Sequence, residues 1–450
     1  AVGGGLRDCS AIGGSLRGRS AIGAGLILCL IVCLAGGCGN GGKHPPVADS
    51  SVTGAGATDT AGAAATAGTA GTAGTAGAAA GDSSAGDSSA GWALLPFTKV
   101  DSINPVLQPG PASFFDPLRR GPVRWEEKDV FNPAMIVKKG RLYMLYRAQD
   151  KVGHPAGTSR IGLAMSEDGF HFVRRGAPVL YPAEDAQKKL EWEGGCEDPR
   201  VVQDDRGIYY MTYTAFDGQT PRLLVATSAD LVHWIKKGSV FADADGGRYS
   251  RCWSKSGSIV SRYTDGKIVA AKVNGKYWMY WGDQFIWAAT SDDLIHWTPV
   301  EMAEGERRPV ELKGQAKQVP ALKIVVTTRA KKFDSDLVEP GPPAMLTDRG
   351  ILLIYNGKNL GAVGGNPGGS GDSSLPEGTY GGGQVLLDRN DPTKVLRRLD
   401  HCFIRPDKSY EITGQVGQVV FLEGLANFKG RWLLYYGTAD SRIAVAVGPD

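Results

Sequence analysis

Between residues 92 and 450, apolar and polar residues alternate in short runs, and the most regular of these runs begin directly after a glycine. A two-residue period rich in β-branched and aromatic side chains is typical of β-strands, and no long run has the 3.6-residue period of a helix. The pattern therefore predicts an all-β fold. The five runs are GRLYMLYRA from Gly140, GIYYMTYTA from Gly207, GKYWMYWGD from Gly275, GILLIYNG from Gly350 and GRWLLYYGTAD from Gly430.

Each glycine-led run is followed by a second apolar run, so the chain contains five similar units in succession. A sheet of this size cannot bury both of its faces alone, and repeated small antiparallel sheets solve this by packing radially around one axis. The sequence therefore predicts a five-bladed β-propeller over residues 92–450. Side chains of the inner strands meet at the central channel of such a fold, so non-repeating polar residues on those strands are functional candidates. The second runs are RIGLAMS, RLLVATS, FIWAATS, GGQVLLD and RIAVAVG.

A second repeat, Ser-x-Asp-x-x-His followed by an aromatic residue, starts at Ser166, Ser228 and Ser291, with spacings of 62 and 63 residues. Because a motif repeated in register does the same job in each unit, we interpret it as a structural turn and not as the lining of a functional site. The histidines show neither HxxxH nor HExxH spacing, and no CxxC pair is present. We therefore predict no metal site and no cofactor.

The first 38 residues have the regions of an export signal in order. Three arginines and no lysine precede an apolar run, AGLILCLIVCLA at 24–35, and small residues lead to Cys38. The apolar run is too short for a comfortable transmembrane helix, which needs about 20 residues. The Ala-Gly-Gly-Cys sequence resembles a bacterial lipoprotein cleavage box. We therefore predict lipidation of Cys38 and an exported cell-envelope lipoprotein, periplasmic or on the cell surface, with plain secretion as the alternative.

Residues 39–91 consist largely of Ala, Gly, Thr, Ser and Asp. This composition has too little apolar bulk to offset the entropy lost on ordering, so it predicts a disordered linker that holds the folded domain away from the envelope. The whole chain has 50 Lys and Arg against 47 Asp and Glu, a net charge of +3. This balance gives no reason to expect nucleic acid or an anionic membrane as a partner, and a lipid anchor is the one membrane contact predicted.

Polar residues that break the repeat fall on or beside the predicted inner strands. Carboxylates that converge on one channel suit general acid and base chemistry on a polyhydroxylated substrate such as an oligosaccharide. No GxSxG motif supports a serine nucleophile. The candidates are Asn132, Arg147, Glu197, Asp198, Arg200, Asp217, Lys272, Asp283, Glu339, Asn356 and Asp440.

Long segments in the same order along residues 97–450 resemble glycoside hydrolase family 130, among them FNPAMIVKKGRLYMLYRAQD, GGCEDPRVV, VEPGPPAMLTDRGILLIYNGKN and LLYYGTADSRIAVA. The resemblance implies a five-bladed propeller and an inverting enzyme for β-mannosides, either a phosphorylase or a mannosidase. It also implies that Asp198, in Glu-Asp-Pro-Arg, is the general acid and delivers its proton through a hydroxyl of the bound mannose. The sugar-binding residues implied by the family are Asn132, Arg147, Asp217 and Asp440, and Arg200, Lys272 and Asn356 complete the predicted substrate-binding set.

The sequence departs from the family's phosphorylases where they hold phosphate. Those enzymes carry an Arg shortly after the third inner strand and a His in a Tyr-His-Gly element. This chain has Trp-Gly-Asp at 281–283 and Tyr-Asn-Gly at 355–357, and Lys272 is the cation that remains. Losing two donors and gaining a carboxylate disfavours phosphate and favours hydrolysis, with Asp283 or Glu339 as the base. The alternatives are a phosphorylase that uses inorganic phosphate as co-substrate and releases mannose 1-phosphate, and a non-catalytic glycan-binding propeller.

Overall fold

The structure, a computed structural model, describes residues 91–264, 266–306, 309–310, 319–320, 322–361 and 370–450. The predicted signal segment 1–38 with Cys38, and the predicted linker 39–91 except its last residue, lie outside the described residues. Those predictions therefore stay predictions. In the described part of the chain, no helix has the length and apolarity needed to cross a membrane.

Strands dominate these residues, and the α-helices are single turns, so the predicted all-β fold is confirmed. Three short strands precede the first unit: β1 (Thr98–Lys99), β2 (Phe114–Asp116) and β3 (Gly121–Val123). The first unit contains β4 (Asp129–Lys138), β5 (Arg141–Gln149), β6 (Ser159–Ser166) and β7 (Val173–Arg174). Helix α1 (Lys188–Glu191) leads to the second unit, which contains β8 (Gly195–Gln203), β9 (Tyr209–Phe216), β10 (Pro221–Ser228) and β11 (Ile235–Ser239).

The third unit follows a 3₁₀ segment, Ala244–Arg251, and has the most irregular strands. It contains β12 (Ser258–Ile259), β13 (Ser261–Thr264), β14 (Lys267–Ala270), β15 (Lys272–Val273), β16 (Lys276–Trp281), β17 (Ile286–Ser291) and β18 (Trp297–Pro299). A 3₁₀ turn, Glu304–Glu306, comes next. The strands that lead to the fourth unit are β19 (Pro309–Val310), β20 (Val319–Pro320) and β21 (Ile324–Val326).

The fourth unit contains β22 (Leu337–Pro340), β23 (Met345–Thr347), β24 (Gly350–Lys358), β25 (Tyr380–Leu387) and β26 (Val395–Arg398). Helix α2 (Ser409–Ile412) precedes the fifth unit, which contains β27 (Val420–Phe428), β28 (Arg431–Thr438) and β29 (Arg442–Val447). Consecutive strands pair antiparallel within this unit. The early strand β1 pairs antiparallel with β29, with Thr98 opposite Val447, so the start of the domain completes its last unit.

In the part of the chain that the structure describes, five hydrophobic clusters hold the units together, and each cluster is shared by two units. Residues of units one and two pack in one cluster, those of two and three in the next, and the series continues until units five and one share the last. Trp281 and Trp287 are fully buried in the cluster between units two and three, so both indole rings pack in the core.

The repeated Ser-x-Asp-x-x-His motif forms the turn between the last two strands of the first three units, which confirms its structural role. In the first copy, Asp168 Oδ1 accepts from the His171 main-chain N–H at 2.8 Å, and Asp168 Oδ2 lies 2.6 Å from His171 Nδ1. The other two copies repeat both contacts, and all three histidine side chains are exposed.

Candidate active site

Bulges in the first strand of several units create the candidate site. Strand pairing skips Asn132 in β4, Asp198 with Pro199 in β8, and Glu423 in β27. Asn132 and Asp198 have φ of 48° and 49°, a left-handed conformation that Asn and Asp tolerate better than most residues. A proline follows each of these two residues and removes the main-chain donor that regular pairing would use. The bulges turn the two side chains together, and Asn132 Nδ2 donates to Asp198 Oδ1 at 2.9 Å.

Arg147 joins this pair from the neighbouring strand β5, where it lies opposite Phe131. Its Nη1 donates to Asp198 Oδ1 at 3.1 Å and its Nη2 to Glu197 Oε1 at 2.6 Å, while its guanidinium stacks on the Phe131 ring at 4.6 Å. Burial alone would raise the pKa of Asp198. The charges of Arg147 and Lys255 and the hydrogen bond from Asn132 outweigh burial and lower that pKa to about 2. Asp198 is therefore ionised in the resting site.

Lys255 occupies the centre of the cluster, although the sequence did not single it out. Its Nζ lies 3.8 Å from Asp198 Oδ2 and 3.4 Å from Glu339 Oε1, so one ammonium group separates the predicted acid from a predicted base. The next residue, Ser256, has φ of 60° and donates its hydroxyl to Glu339 Oε1. Ser256 therefore shares the left-handed backbone conformation of Asn132 and Asp198, and it lies just before β12, the first strand of its unit.

The two predicted bases have different surroundings. Glu339, on β22, is buried, and burial raises its pKa although Lys255 acts against the rise. Asp283 follows β16, is partly exposed, and accepts a hydrogen bond from the Trp253 indole N–H at 2.9 Å. Asp283 also lies close enough to interact electrostatically with Lys255 and Glu339. Both carboxylates therefore belong to the cluster, but one of them already holds an aromatic ring in place.

Two predicted substrate-binding residues, Arg200 and Asn356, form hydrogen bonds with the main chain instead. Arg200 is buried and donates to the carbonyl oxygens of Gly341 and Pro340 at 2.8 Å each, and to that of Asp198 at 3.3 Å. It therefore connects the segment that carries Asp198 to the segment that carries Glu339. Asn356 exchanges two hydrogen bonds with the main chain of Leu422, at 3.0 and 2.7 Å, which joins β24 to β27. Every polar atom of these two side chains therefore already has a hydrogen-bond partner within the fold.

Two further predicted residues are not brought into the cluster. Asp217 caps the turn after β9, where it accepts from the main-chain N–H groups of Gln219 and Thr220 and from Arg222. Lys272 is exposed on β15, and its Nζ lies 4.9 Å from the Tyr277 ring. Tyr277 is near the start of β16 and Asp283 follows the end of this strand. At about 3.3 Å per residue, Lys272 is about 20 Å from the site along the strand.

Asp440 is the last predicted site residue, and the charges of Arg147 and Asp198 both act on it. Burial raises the pKa of Asp440 to about 7; the charge of Arg147 acts against this rise and that of Asp198 adds to it. This carboxyl group therefore carries a proton over much of the acidic range, whereas Asp198 does not.

Comparison with known proteins places this geometry in a family. The family model described as β-1,4-mannooligosaccharide phosphorylase, of glycoside hydrolase family 130, matches residues 104–450. The chain belongs to glycoside hydrolase family 130. Members of this family are β-mannoside phosphorylases or glycosidases, so the protein is an enzyme of that kind.

Individual members of family 130 resemble the chain to different degrees. A 1,2-β-oligomannan phosphorylase of Thermoanaerobacter sp. is 32% identical over 332 residues, which cover 72% of this chain and 90% of the relative. A solved glycosyl hydrolase from Bacteroides ovatus is 46% identical with a TM-score of 0.71, covering 79% of this chain and 94% of the other. A third protein is 43% identical with a TM-score of 0.72 and the same coverage. Its structure is described as showing that the family contains hydrolases that target β-1,2 mannosidic linkages in Candida mannan.

Gly437, on β28, is required for the position of Asn132 in this family 130 site. A Cβ atom at Gly437 would lie 2.4 Å from Asn132 Oδ1, so a Gly437→Ala substitution must displace the side chain that holds Asp198. We expect kcat on β-mannosides to fall at least about tenfold, since Asp198 is the predicted general acid and small misplacements of catalytic groups have effects of this size. The control is Gly176→Ala, where an added Cβ meets no atom within 4 Å. Equal activity of the Gly437 and Gly176 variants would contradict a role for the Asn132 position in the active site.

The raised pKa of Asp440 predicts a pH-dependent loss of stability. With a pKa of about 7 in the folded state and about 3.9 in the unfolded state, the folded state binds more protons between these values. Stability is therefore unaffected by this group below about pH 4, falls as the pH rises through the window, and stays reduced above about pH 7. We expect Asp440→Asn to remove this trend, so the difference in Tm from the wild type should grow in favour of the variant between pH 4 and 7. Calorimetry at several pH values measures these Tm values, and Asp230→Asn, at an exposed carboxylate, is the control. Parallel curves of Tm against pH for the Asp440 variant and the wild type would contradict the prediction.

Proposed function

We propose that the enzyme is an inverting β-mannoside hydrolase that cleaves β-1,2-linked mannosides without inorganic phosphate. In this proposal Asp198 is the general acid and Glu339 is the base that activates water. Asn132, Arg147 and Asp440 hold the sugar in the subsite where cleavage occurs. The reaction uses no metal or organic cofactor.

The charge composition of the site carries this proposal. The cluster contains more carboxylates than cations, and each of its three cations already contacts carboxylates. Arg147 binds Glu197 and Asp198, Lys255 lies between Asp198 and Glu339, and Arg200 lies 3.3 Å from Glu423. A phosphate dianion would meet repulsion from these carboxylates, and each of the three cations already has its charge balanced by a carboxylate. Lys272, the cation expected to remain for phosphate, lies elsewhere on β15.

Similarity to other family members supports the same conclusion. The two solved structures at 46% and 43% identity are described as a glycosyl hydrolase and as part of a study of hydrolases that target β-1,2 mannosidic linkages. The phosphorylase with 32% identity is less similar, and it too is named for a β-1,2-linked substrate. We therefore extend the β-1,2 linkage and the hydrolytic reaction to this chain.

The mechanism follows from the positions of the two carboxylates. Asp198 donates a proton to the departing oxygen, and the family resemblance suggests that a mannose hydroxyl passes this proton on. Glu339 takes a proton from a water molecule that attacks the anomeric carbon from the opposite face, so the β-linkage gives an α-product. Lys255 lies between the two carboxylates and stabilises both charges while the sugar ring is flattened and cationic.

Phosphorolysis is the second candidate, because the family model and the curated relatives are named as phosphorylases. The test measures sugar release from β-1,2-mannobiose by residues 92–450, with and without inorganic phosphate, and separates mannose from mannose 1-phosphate. We expect free α-mannose at equal rates in both conditions. Mannose 1-phosphate formed only with phosphate would overturn the hydrolytic proposal.

We propose that the five units are the blades of a five-bladed β-propeller. The cyclic series of shared hydrophobic clusters and the pairing of β1 with β29 support this arrangement, because both connect the last unit to the first. A propeller would bring the bulges of β4, β8 and β27 to one central channel. Small-angle scattering from residues 92–450 tests it: a compact disc-shaped particle is expected, and an elongated one would contradict it.

We also propose that Cys38 is lipidated and that residues 39–91 tether the enzyme to the bacterial envelope. The support is the order of basic, apolar and small residues before Cys38 and the low-complexity composition after it. Labelled palmitate should enter the full chain but not a Cys38→Ser variant. A soluble, unlabelled wild-type product would favour plain secretion.

A further inference from the structure

Glu423 is a buried carboxyl group to which the mechanism above gives no role. It is the residue that strand pairing skips in β27, as Asn132 is in β4. Its side chain has no exposed surface. Among the described residues neither of its carboxyl oxygens has a hydrogen-bond partner. Burying a carboxylate without donors costs free energy, so the neutral form is favoured at this position.

The nearest cation does not satisfy Glu423. Arg200 Nη2 lies 3.3 Å from Glu423 Oε2, but the hydrogen bonds of Arg200 go to three main-chain carbonyl oxygens. The charged groups that act electrostatically on Glu423 are Arg200, Asp198, Glu339 and Lys255. Burial raises the pKa of Glu423 well above its usual value, Arg200 and Lys255 act against this rise, and the other two carboxylates add to it. Glu423 therefore retains a proton beside two groups that exchange protons during catalysis.

Arg200 connects Glu423 to the two chain segments that carry these groups, and the charges of both groups act on Glu423. Through Arg200, Glu423 lies one guanidinium away from the main chain of Asp198 and from that of Pro340, the residue after Glu339. Its two unpartnered oxygens are suitable binding sites for water molecules, which carry protons over gaps that side chains do not close.

The reaction needs such a group. Inverting hydrolysis removes one proton from the acid and leaves one on the base in every turnover. Asp198 is also held ionised at rest by Arg147, Lys255 and Asn132, so it must receive a proton before it can donate one.

We propose that Glu423 is a proton reserve that loads Asp198 and is refilled from Glu339. The inference rests on the proposed acid role of Asp198. The Glu423 carboxylic acid gives its proton to the Asp198 carboxylate, and Asp198 protonates the departing oxygen as the glycosidic C–O bond breaks. Water forms the new C–O bond and gives a proton to Glu339, which returns it to the Glu423 carboxylate. Every proton is accounted for, and no other reactant is required.

The test compares Glu423→Gln with the wild type on two β-mannosides, a mannobiose and an aryl mannoside whose weakly basic leaving group needs no proton. We expect kcat on mannobiose to fall at least about tenfold while kcat on the aryl substrate is retained. In the variant Asp198 must take its proton from solution. Its rate on mannobiose should therefore rise with falling pH and with the concentration of an acidic buffer, whereas the wild-type rate should not depend on buffer concentration.

Glu191→Gln is the matched control, because Glu191 is also fully buried but bonds to Tyr213 and Lys236 away from the site. Equal loss on both substrates would show that Glu423 has only a structural role, and no loss would show that no reserve is needed. If the wild-type rate on mannobiose depended on buffer concentration, the proposal would be overturned. This measurement needs no variant, so it remains decisive if the Glu423 variant fails to fold. Each run also identifies the sugar product, which tests hydrolysis separately from the role of Glu423. The two tests are independent because phosphorolysis, like hydrolysis, requires a protonated leaving group.

Discussion

Asp198→Asn is expected to lower kcat on mannobiose by about 10²–10⁴-fold, with a much smaller change in KM. The amide keeps the shape of the carboxylate but cannot transfer a proton to the departing oxygen. Its oxygen can still accept the hydrogen bond from Asn132, so the bulge in β8 should keep its conformation. Steady-state kinetics of mannose release, with melting temperatures for both proteins, measure the effect.

The leaving group provides the decisive comparison for this variant. An aryl β-mannoside with a weakly basic leaving group departs without protonation, so the Asp198 variant should retain most of its activity on that substrate. Asp230→Asn serves as the control, because Asp230 makes similar hydrogen bonds in an exposed turn. An equally large loss on both substrates would mean that Asp198 acts through its charge toward Arg147 and Lys255, and not as an acid.

The repetitive part of the fold could be predicted from the sequence because its signals are local. A two-residue period and a glycine at each turn mark the strands of every unit, and the same contacts recur in the three Ser-x-Asp-x-x-His turns. The bulges at Asn132 and Asp198 also have a local sequence signal, since Asn-Pro and Asp-Pro combine a residue that tolerates positive φ with a proline that lacks a main-chain donor.

The role of a polar residue on an inner strand was harder to predict. The sequence predicts that Arg200 and Asn356 bind substrate, whereas in the structure they bond to main-chain groups of neighbouring units. The reason is visible around Gly341, where three prolines interrupt regular pairing and leave carbonyl oxygens that need donors. Arg200 supplies two of these donors, and the Ser258 hydroxyl supplies another to Pro342. A single sequence does not show which carbonyl a side chain from a distant segment will reach.

Lys255 and Glu423 were missed for a related reason. Lys255 lies in an irregular segment before β12, where no alternating pattern marks an inner strand, and Glu423 lies in a run that resembles any buried strand. Their significance comes from neighbours far away in the chain. Lys255 contacts carboxylates of two other units, and Glu423 has a charged neighbour but no donor.

The identity of the base is the second prediction with a large effect. We expect Glu339→Ala to lower the release of mannose by about 10²–10⁴-fold, because Glu339 is the proposed acceptor of the proton from the attacking water. Glu339 is the stronger candidate than Asp283, since burial raises its pKa and its contacts are a hydroxyl and an ammonium, whereas Asp283 anchors the Trp253 ring. Mannose release by both alanine variants measures the difference.

Azide makes this prediction specific to a base, because azide is an anionic nucleophile that needs no deprotonation. With the carboxylate removed, azide can enter the space and attack the same face as water, so the Glu339 variant should form α-mannosyl azide from a β-mannoside with an activated leaving group. Glu167→Ala, at an exposed residue paired with Arg141, should behave as the wild type. Formation of the azide product by the Asp283 variant instead would move the base to Asp283. In that case the role of Glu339 would be to balance the charge of Lys255, and the attacking water would lie on the Trp253 side of the site.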